Sequence, residues 1–316
     1  MKIIIRNCNV AELDIPLKYA TKLYNEFAIR HPNAFYLRTR QRGMQNWDGK
    51  IKYITKTGQF KIGLLPSVYK RCIELGIKPI IVDMRQPLPK VSKVVTQIGK
   101  YKLRPEQEKA VKAILSNKLG ETPFQIGVLD YTVNAGKTLI MSALYLSYKK
   151  QLKTLLITND SDWLNQARDE FKQYLPGEDI TFVQGKVLNW SNFTIGMVQS
   201  ISRNMKYYQS ELAKIDMVLI DEADQGGSKQ YQNVITRLFN TRVRIGLSGT
   251  IYMSKLAKDK VKNMNLRCFF GDVIAEFKLK DSIKKGYSTK TIVKTVEGKP
   301  WFGNWESDCM SYNEIY

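Results

Sequence analysis

The sequence predicts an α/β protein in two parts: a small basic α/β unit, then a parallel sheet covered by helices on both faces. Five short apolar runs carry the second part: Phe124 to Leu129, Thr154 to Thr158, Phe193 to Val198, Met217 to Ile220 and Val243 to Leu247. Runs apolar on both faces, most of them separated by helix-like segments, imply a parallel sheet buried on each side. The second observation is a Gly-Lys-Thr turn at 136–138, placed between the first run and a helical segment. The third is charge: of a formal net +21, residues 1–100 hold +13 and the other 216 hold +8. A chain of 316 residues has room for about two domains on the usual ~150-residue prior.

In order along the chain, Lys2-Ile3-Ile4-Ile5 reads as a strand, and Pro16 to Ile29 places Leu17, Tyr19, Ala20, Leu23, Tyr24 and Phe27 at helical spacing. Phe35 to Arg42 alternates, with Arg38, Arg40 and Arg42 on one face, and resumes after Asp48-Gly49 as Lys50 to Ile54. That pattern predicts a hairpin with a basic face carrying Arg38, Arg40, Arg42, Lys50 and Lys52. Pro66 at a start and Gly76 at a stop bound a helix, followed by a strand from Pro79 to Val82. Residues 1–85 are therefore expected to be one unit, with the Pro, Ser and Lys mixture of 86–100 as a linker. The parallel-sheet lobe is expected over 101–275, and 276–316 as a further linker with the start of a truncated second lobe.

Composition narrows the chemistry. A strongly basic surface attracts polyanions, and nucleic acid, DNA or RNA, is the natural partner. Cys8, Cys72, Cys268 and Cys309 are scattered without a Cys-x-x-Cys pair, which fits reduced thiols in a cytoplasmic protein better than a disulfide frame or a zinc site. His31, the single histidine, is far in sequence from any nucleophile motif. No apolar run approaches the ~18 residues of a membrane span, and the N-terminus lacks a signal-peptide core.

The motifs carry the site. Val133-Asn134-Ala135-Gly136-Lys137-Thr138 offers backbone N–H groups to phosphate oxygens, the Lys137 ammonium to the outer phosphates and the Thr138 hydroxyl to magnesium. Tyr131 stands where the spaced first glycine of a full phosphate loop would be, and Asn134 is among the few non-glycine residues that tolerate φ > 0. Asp221-Glu222-Ala223-Asp224 begins 84 residues after Lys137, at the end of an apolar run. Its carboxylates emerge at the sheet edge facing the loop, Asp221 to hold magnesium and Glu222 to polarise the attacking water. An acidic N-cap for the helix starting near Ser228 would explain one acid, not three.

Leu103-Arg104-Pro105-Glu106-Gln107 precedes the phosphate loop, Gln107 lying 30 residues before Lys137. Leu-Arg-Pro-x-Gln, then Gly-Lys-Thr, then Asp-Glu-Ala-Asp (the DEAD tetrapeptide), then Ser248-Gly249-Thr250 resembles, in order and spacing, the first RecA-like motor lobe of a superfamily 2 helicase. Asn46-Trp47-Asp48-Gly49-Lys50-Ile51 and Gly63-Leu64-Leu65 extend the likeness to phage recombination and repair helicases of that superfamily. The resemblance implies ATP with Mg2+ as cofactors, Gln107 reading the adenine edge, and Asp224, Ser248 and Thr250 coupling nucleotide state to strand movement. It also implies Gln199 and Ser200 as nucleic-acid contacts, duplex or branched DNA as the favoured partner, and a host cytoplasm if the chain is phage-encoded. Asn159-Asp160 departs from the Pro-Thr pair usual in the family and would set an acid beside a phosphate backbone. A second lobe, which in the family supplies the arginine finger, is not visible in the sequence. The alternative reading is a nucleic-acid-binding module or annealing factor that binds ATP without productive turnover, as one half of a two-chain motor. A small-molecule P-loop kinase is disfavoured by Asp-Glu-Ala-Asp and Ser-Gly-Thr.

Overall fold

The structure, a computed structural model, describes residues 1–41, 43–185, 189–252 and 257–289. The chain opens with β1 (Lys2–Ile5), β2 (Val10–Asp14), α1 (Leu17–Glu26), β3 (Ala28–Arg30), α2 (Ala34–Arg40), β4 (Lys50–Lys52), β5 (Gln59–Lys61), α3 (Leu65–Glu74) and β6 (Ile80–Asp83). Four strands form a sheet in the order β5-β2-β1-β6, antiparallel except for the parallel pair β1 and β6. Ile3, Ile5, Ala11 and Leu13 alternate inward and share a core with Leu23 of α1 and Val68 and Cys72 of α3.

The expected basic hairpin does not form. Residues 34–40 are the helix α2, and β4 pairs instead with β3, in the register Ala28↔Lys52, Ile29↔Ile51 and Arg30↔Lys50. Phe-Tyr-Leu-Arg-Thr-Arg mimics a period of two, yet the positions turned inward are Ala34 and Leu37, three residues apart, as on a helix. Arg38 and Arg40 are both exposed, but two positions apart on a helix they cannot share a face. Arg42 lies outside the described residues.

Residues 86–100 are not a free linker. Leu88, Val91, Val94 and Val95 pack against the second core, and the Val95 N–H donates to Ser147 Oγ at 3.0 Å. A hairpin of β7 (Gln97–Ile98) and β8 (Tyr101–Lys102) leads into α4 (Pro105–Ser116), and a second, of β9 (Lys118–Leu119) and β10 (Thr122–Pro123), leads into the lobe.

The lobe continues as β11 (Ile126–Tyr131), α5 (Lys137–Ser147), β12 (Thr154–Thr158), α6 (Ser161–Tyr174), β13 (Ile180–Val183), β14 (Phe193–Met197), α7 (Val198–Arg203), α8 (Met205–Leu212), β15 (Met217–Asp221), α9 (Lys229–Ile235), β16 (Val243–Ser248), α10 (Ala257–Phe270), β17 (Val273–Phe277) and α11 (Leu279–Lys284). Its seven strands are all parallel, in the order β13-β14-β12-β15-β16-β11-β17. The five apolar runs are the five inner strands, as expected. Successive residues feed two cores: Leu155, Ile157, Val218 and Ile220 on one face, Leu156, Met217, Leu219 and Ile245 on the other.

Residues 276–289, expected to lead away toward a second lobe, lie against this one. Part of β17 pairs with β11, Lys278 pairs with Asp130, and Lys285 Nζ donates to Glu106 Oε2 at 2.8 Å. Of the strand expected over Ser288 to Val296, only Ser288 and Thr289 are described.

The N-terminal unit shares its core with one face of the lobe, since Ile3 and Ile5 belong to the same buried cluster as Val128 and Val218. Arg244, fully buried on β16, bridges the two: Nη2 donates to Cys8 O and Asn9 Oδ1, each at 2.8 Å, and Nη1 to Phe269 O at 3.2 Å. Burial lowers its pKa to about 10, so it stays charged at neutral pH. At the same seam a Cβ on Gly63 would fall 2.1 Å from Arg267 O and 2.7 Å from Cys268 O, both backbone atoms. Gly63→Ala is therefore expected to destabilise the protein by at least the upper end of the ~1–3 kcal/mol typical of overpacking. A denaturation midpoint equal to wild type would mean that the two units are not seated as described.

Candidate nucleotide site and nucleic-acid edge

In an open parallel sheet, ligand sites form at the C-terminal ends of the strands, where the loops leave. Here β11, β12, β14, β15 and β16 deliver the phosphate loop, Asn159-Asp160, Gln199-Ser200, the acidic cluster and Ser248-Thr250 to that one edge. All these sequence-predicted groups are thus brought together, whereas Arg38, Arg40, Lys50 and Lys52 lie on the N-terminal unit.

Tyr131 is the last residue of β11, fully buried, with its hydroxyl donating to Glu106 O at 2.8 Å. The place of the spaced first glycine is thus inside the sheet, where no left-handed backbone is needed. The left-handed turns come later, at Asn134 (φ 63°) and Gly136 (φ 72°), the residue that caps α5. The first N–H groups of α5 follow, with Lys137 at the helix start.

Gln107 is nearly buried and doubly engaged: its Oε1 accepts from Arg104 N and its Nε2 donates to Ala135 O, both at 2.9 Å. A Cβ at Gly136 would meet Gln107 Nε2 at 2.3 Å, so the loop can approach this closely only with glycine there. Gln107 thus holds the backbone of the phosphate loop. Arg104, a residue the sequence left without a role, donates from Nη2 to Asn134 O at 3.1 Å.

Across the edge, Lys137 Nζ lies 3.7 Å from Asp221 Oδ1 and 3.6 Å from Glu222 Oε1. The two acids differ in setting: Asp221 is 5% exposed, while the Glu222 side chain is 42% exposed. Burial pushes the Asp221 carboxyl above the usual aspartate range, with Lys137 pulling it back and Glu222 adding to the rise. Asp221 Oδ1 is buried without a hydrogen-bond partner among the described residues. A buried carboxylate oxygen with a free lone pair beside a phosphate loop fits a magnesium–nucleotide ligand, as does the Thr138 hydroxyl type at the helix start. Glu222 sits at φ 49°, ψ 52°, a left-handed conformation rare for glutamate and costing roughly 1–2 kcal/mol. That kink turns the chain between the buried acid and the exposed one. Nothing in the residue types signals it.

Asp224, Ser248 and Thr250 form a hydrogen-bonded set: Ser248 Oγ lies 3.1 Å from Asp224 Oδ1 and 3.3 Å from Thr250 Oγ1. Asp160 is the N-cap of α6, its Oδ1 accepting from Asp162 N at 2.8 Å and Trp163 N at 3.2 Å. The acid is held at the positive end of a helix, which tempers the repulsion expected of it. Gln199 Nε2 donates to Asn159 O at 3.2 Å, and Asn159 Nδ2 to Gln225 Oε1 at 2.5 Å. Gln225, unmarked in the sequence, thereby joins this cluster to the acidic one. Ser200 Oγ accepts from Gly185 N at 3.0 Å.

On the N-terminal unit Lys50 is exposed opposite Arg30, a basic pair the sequence did not mark. Lys52 is drawn inward, 3.2 Å from Asp48 and 4.6 Å over the Tyr24 ring. Trp47 packs in the turn, donating to Lys50 O at 3.0 Å, and His31 Nδ1 accepts from Asn33 N at 3.1 Å. Among the described residues no helix is long and apolar enough to cross a membrane.

Residues 100–253 match the family model for "Type III restriction enzyme, res subunit". The chain is 23% identical over 272 residues to the "ATP-dependent DNA helicase uvsW" of Enterobacteria phage T4, covering 79% of this chain and 51% of that protein. It is 26% identical over 147 residues to the "Putative ATP-dependent RNA helicase L396" of Acanthamoeba polyphaga mimivirus, covering 46% and 27%. It thus spans about half the length of the first and about a quarter of the second. The crystal structure of the UvsW helicase from bacteriophage T4 superposes with a TM-score of 0.67 at 20% identity, covering 87% of this chain and all of that one. At that identity the likeness speaks to the fold, a RecA-like α/β lobe behind an N-terminal unit. The superfamily 2 resemblance drawn from the motifs is borne out.

Proposed function

We propose that this chain, a superfamily 2 helicase chain similar to UvsW, is the nucleotide-binding part of an ATP-driven DNA helicase or translocase acting in recombination or repair. The observation that carries the reading is Lys137 poised between Asp221 and Glu222, on the sheet edge that also holds the Asn159, Gln199 and Gln225 cluster. On nucleotide binding the N–H groups of residues 134–138 receive phosphate oxygens, and Lys137 exchanges its carboxylate neighbours for the outer phosphates. Thr138 and Asp221 would hold Mg2+, which supplies charge neutralisation at the transferring phosphate. Glu222, more exposed and on the solvent side of the kink, orients the attacking water. Ser248, held by Asp224 and Thr250, passes a change at the acidic cluster to β16.

The strand contacts fall to the Gln199 and Ser200 edge, with Arg38, Arg40, Arg42 and Lys50 adding phosphate contacts from the N-terminal unit; duplex or branched DNA is the favoured substrate. Replacing Arg38, Arg40 and Arg42 together by Ala should weaken DNA binding and flatten its salt dependence by up to ~0.9 log units per log salt for each duplex phosphate that these side chains neutralise. ATP affinity should hold. An unchanged slope would mean that these arginines make no phosphate contact. ATPase rates with single-stranded, duplex and branched DNA test the reading itself: a chain that binds ATP and DNA but shows no DNA stimulation even with a second lobe supplied is a binding module rather than a motor.

A further inference from the structure

The flank of the phosphate loop beside Gln107 is closed by a segment the nucleotide motifs do not include. Arg104 Nη2 bonds the loop carbonyl of Asn134 at 3.1 Å, and its Cζ lies over the Tyr287 ring, 4.2 Å from the centroid. Tyr287 comes from the turn after α11, where its N–H donates to Ser282 O at 2.9 Å. That turn is clamped to the start of α4: Lys285 Nζ donates to Glu106 Oε2 at 2.8 Å, and Glu106 Oε1 lies 3.2 Å from Arg104 Nε. Glu106 is nearly buried, so this three-way pair is better shielded from solvent than a surface ion pair. Phe277 continues the aromatic contact, 6.5 Å from Tyr287 and 6.0 Å from the buried Tyr131.

A nucleotide whose phosphates take the N–H groups of the loop leaves its base at a flank of that loop, and the flank beside Gly136 is lined by Gln107 and Arg104. A planar guanidinium positioned by an aromatic ring on one side can accept a second planar π system on the other. Resting on the nucleotide-site reading above, we propose that Tyr287 is a base-positioning residue. It backs the Arg104 guanidinium and, through Lys285 and Glu106, ties the segment after β17 to occupancy of the base site. Phosphate binding needs none of these three side chains, so the base and phosphate contributions separate.

The test compares ATP with tripolyphosphate, which carries the phosphates and no base, on wild type, Tyr287→Ala and Tyr287→Phe, by calorimetry and steady-state kinetics. The ring is partly exposed, so its loss should not unfold the protein. Tyr287→Ala should raise the Kd and KM for ATP about two- to fivefold, the range of one exposed cation–π contact, with kcat and tripolyphosphate affinity unchanged. Tyr287→Phe should match wild type, because the ring and not the hydroxyl backs the arginine. Equal losses for both ligands, an alanine variant indistinguishable from wild type, or a phenylalanine variant as weak as alanine each overturn the proposal. A wild-type protein that binds neither ligand overturns the nucleotide site itself, and this assignment with it.

Discussion

Lys137→Ala should abolish measurable ATP binding, while Glu222→Gln should keep ATP and Mg2+ bound and lose turnover by about 10²–10⁴-fold, the usual worth of a positioned proton-transfer group. The split follows from the geometry. Among the described residues Lys137 is the cation within 4 Å of both acids. Removing it takes away the ammonium meant for the outer phosphates. It also leaves Asp221, already raised by burial and by Glu222, without the charge that pulls its pKa down. The intended metal ligand is then more readily protonated, a change that weakens magnesium binding in the same direction. Glu222→Gln spares Asp221 and Lys137 and removes only the carboxylate proposed to orient the water. In the wild type the same logic sets a sign for pH. Since the folded pKa of Asp221 is raised, magnesium-dependent nucleotide binding should fall on acidification at a pH above the ordinary aspartate range. Equal ATP affinity for wild type and Lys137→Ala by calorimetry would remove the site assignment. Normal turnover in Glu222→Gln would move the water-orienting role elsewhere.

The inner strands were legible because burial on both faces leaves an unbroken apolar run, and the motifs were legible because they sit at the ends of those runs. The edges were not. β13 is only four residues long, too short a run to stand out, and β17 is partly exposed, so Val273 to Phe277 carries a mixed pattern that competes with helix and loop readings. β2 alternates as a strand should, but with alanine and two acids it lacks β-branched weight. Helix α2 is seven residues long, too short for its helical face to outweigh an accidental alternation of aromatic and basic residues. Arg244 shows the deeper limit. In Val-Arg-Ile-Gly-Leu an arginine reads as solvent-facing, and only the N-terminal unit docked on that face makes it a buried bridge to Cys8 and Asn9. The same long-range docking explains why a boundary near residue 85, sensible from composition, does not separate two cores. Within the site the residue types were readable and their engagements were not. Gln107 bonded to Ala135, Asp160 capping α6 and the left-handed Glu222 are properties of neighbours and backbone, which spacing does not encode.

Supplying a second RecA-like lobe, as a fusion or a separate chain, should raise the DNA-stimulated ATPase rate of the 316-residue protein by about 10³–10⁵-fold, the worth of an arginine finger in comparable phosphoryl-transfer sites. In the described lobe Lys137 lies beside Asp221 at the start of α5, where the proposal has it meet the outer phosphates, while Arg104 is directed to Asn134 O and Tyr287. Arg244 and Arg242 are buried and bonded to backbone carbonyls of the N-terminal unit and the segment after it, away from the nucleotide edge. The sequence has no arginine after Arg267. Under the function proposed above, a transition-state arginine is expected from another lobe, as in comparable phosphoryl-transfer sites. Under the same proposal, stepping along a strand requires two bodies whose gap opens and closes with the nucleotide. By itself the protein should bind DNA, hydrolyse ATP slowly and leave duplexes intact. The comparison is a rate measurement with and without the added lobe, alongside a variant of that lobe in which its arginine is replaced by alanine. An added lobe that accelerates hydrolysis equally well without its arginine would show that closure alone supplies the effect. Robust strand separation by the unassisted 316-residue monomer would overturn the two-lobe requirement.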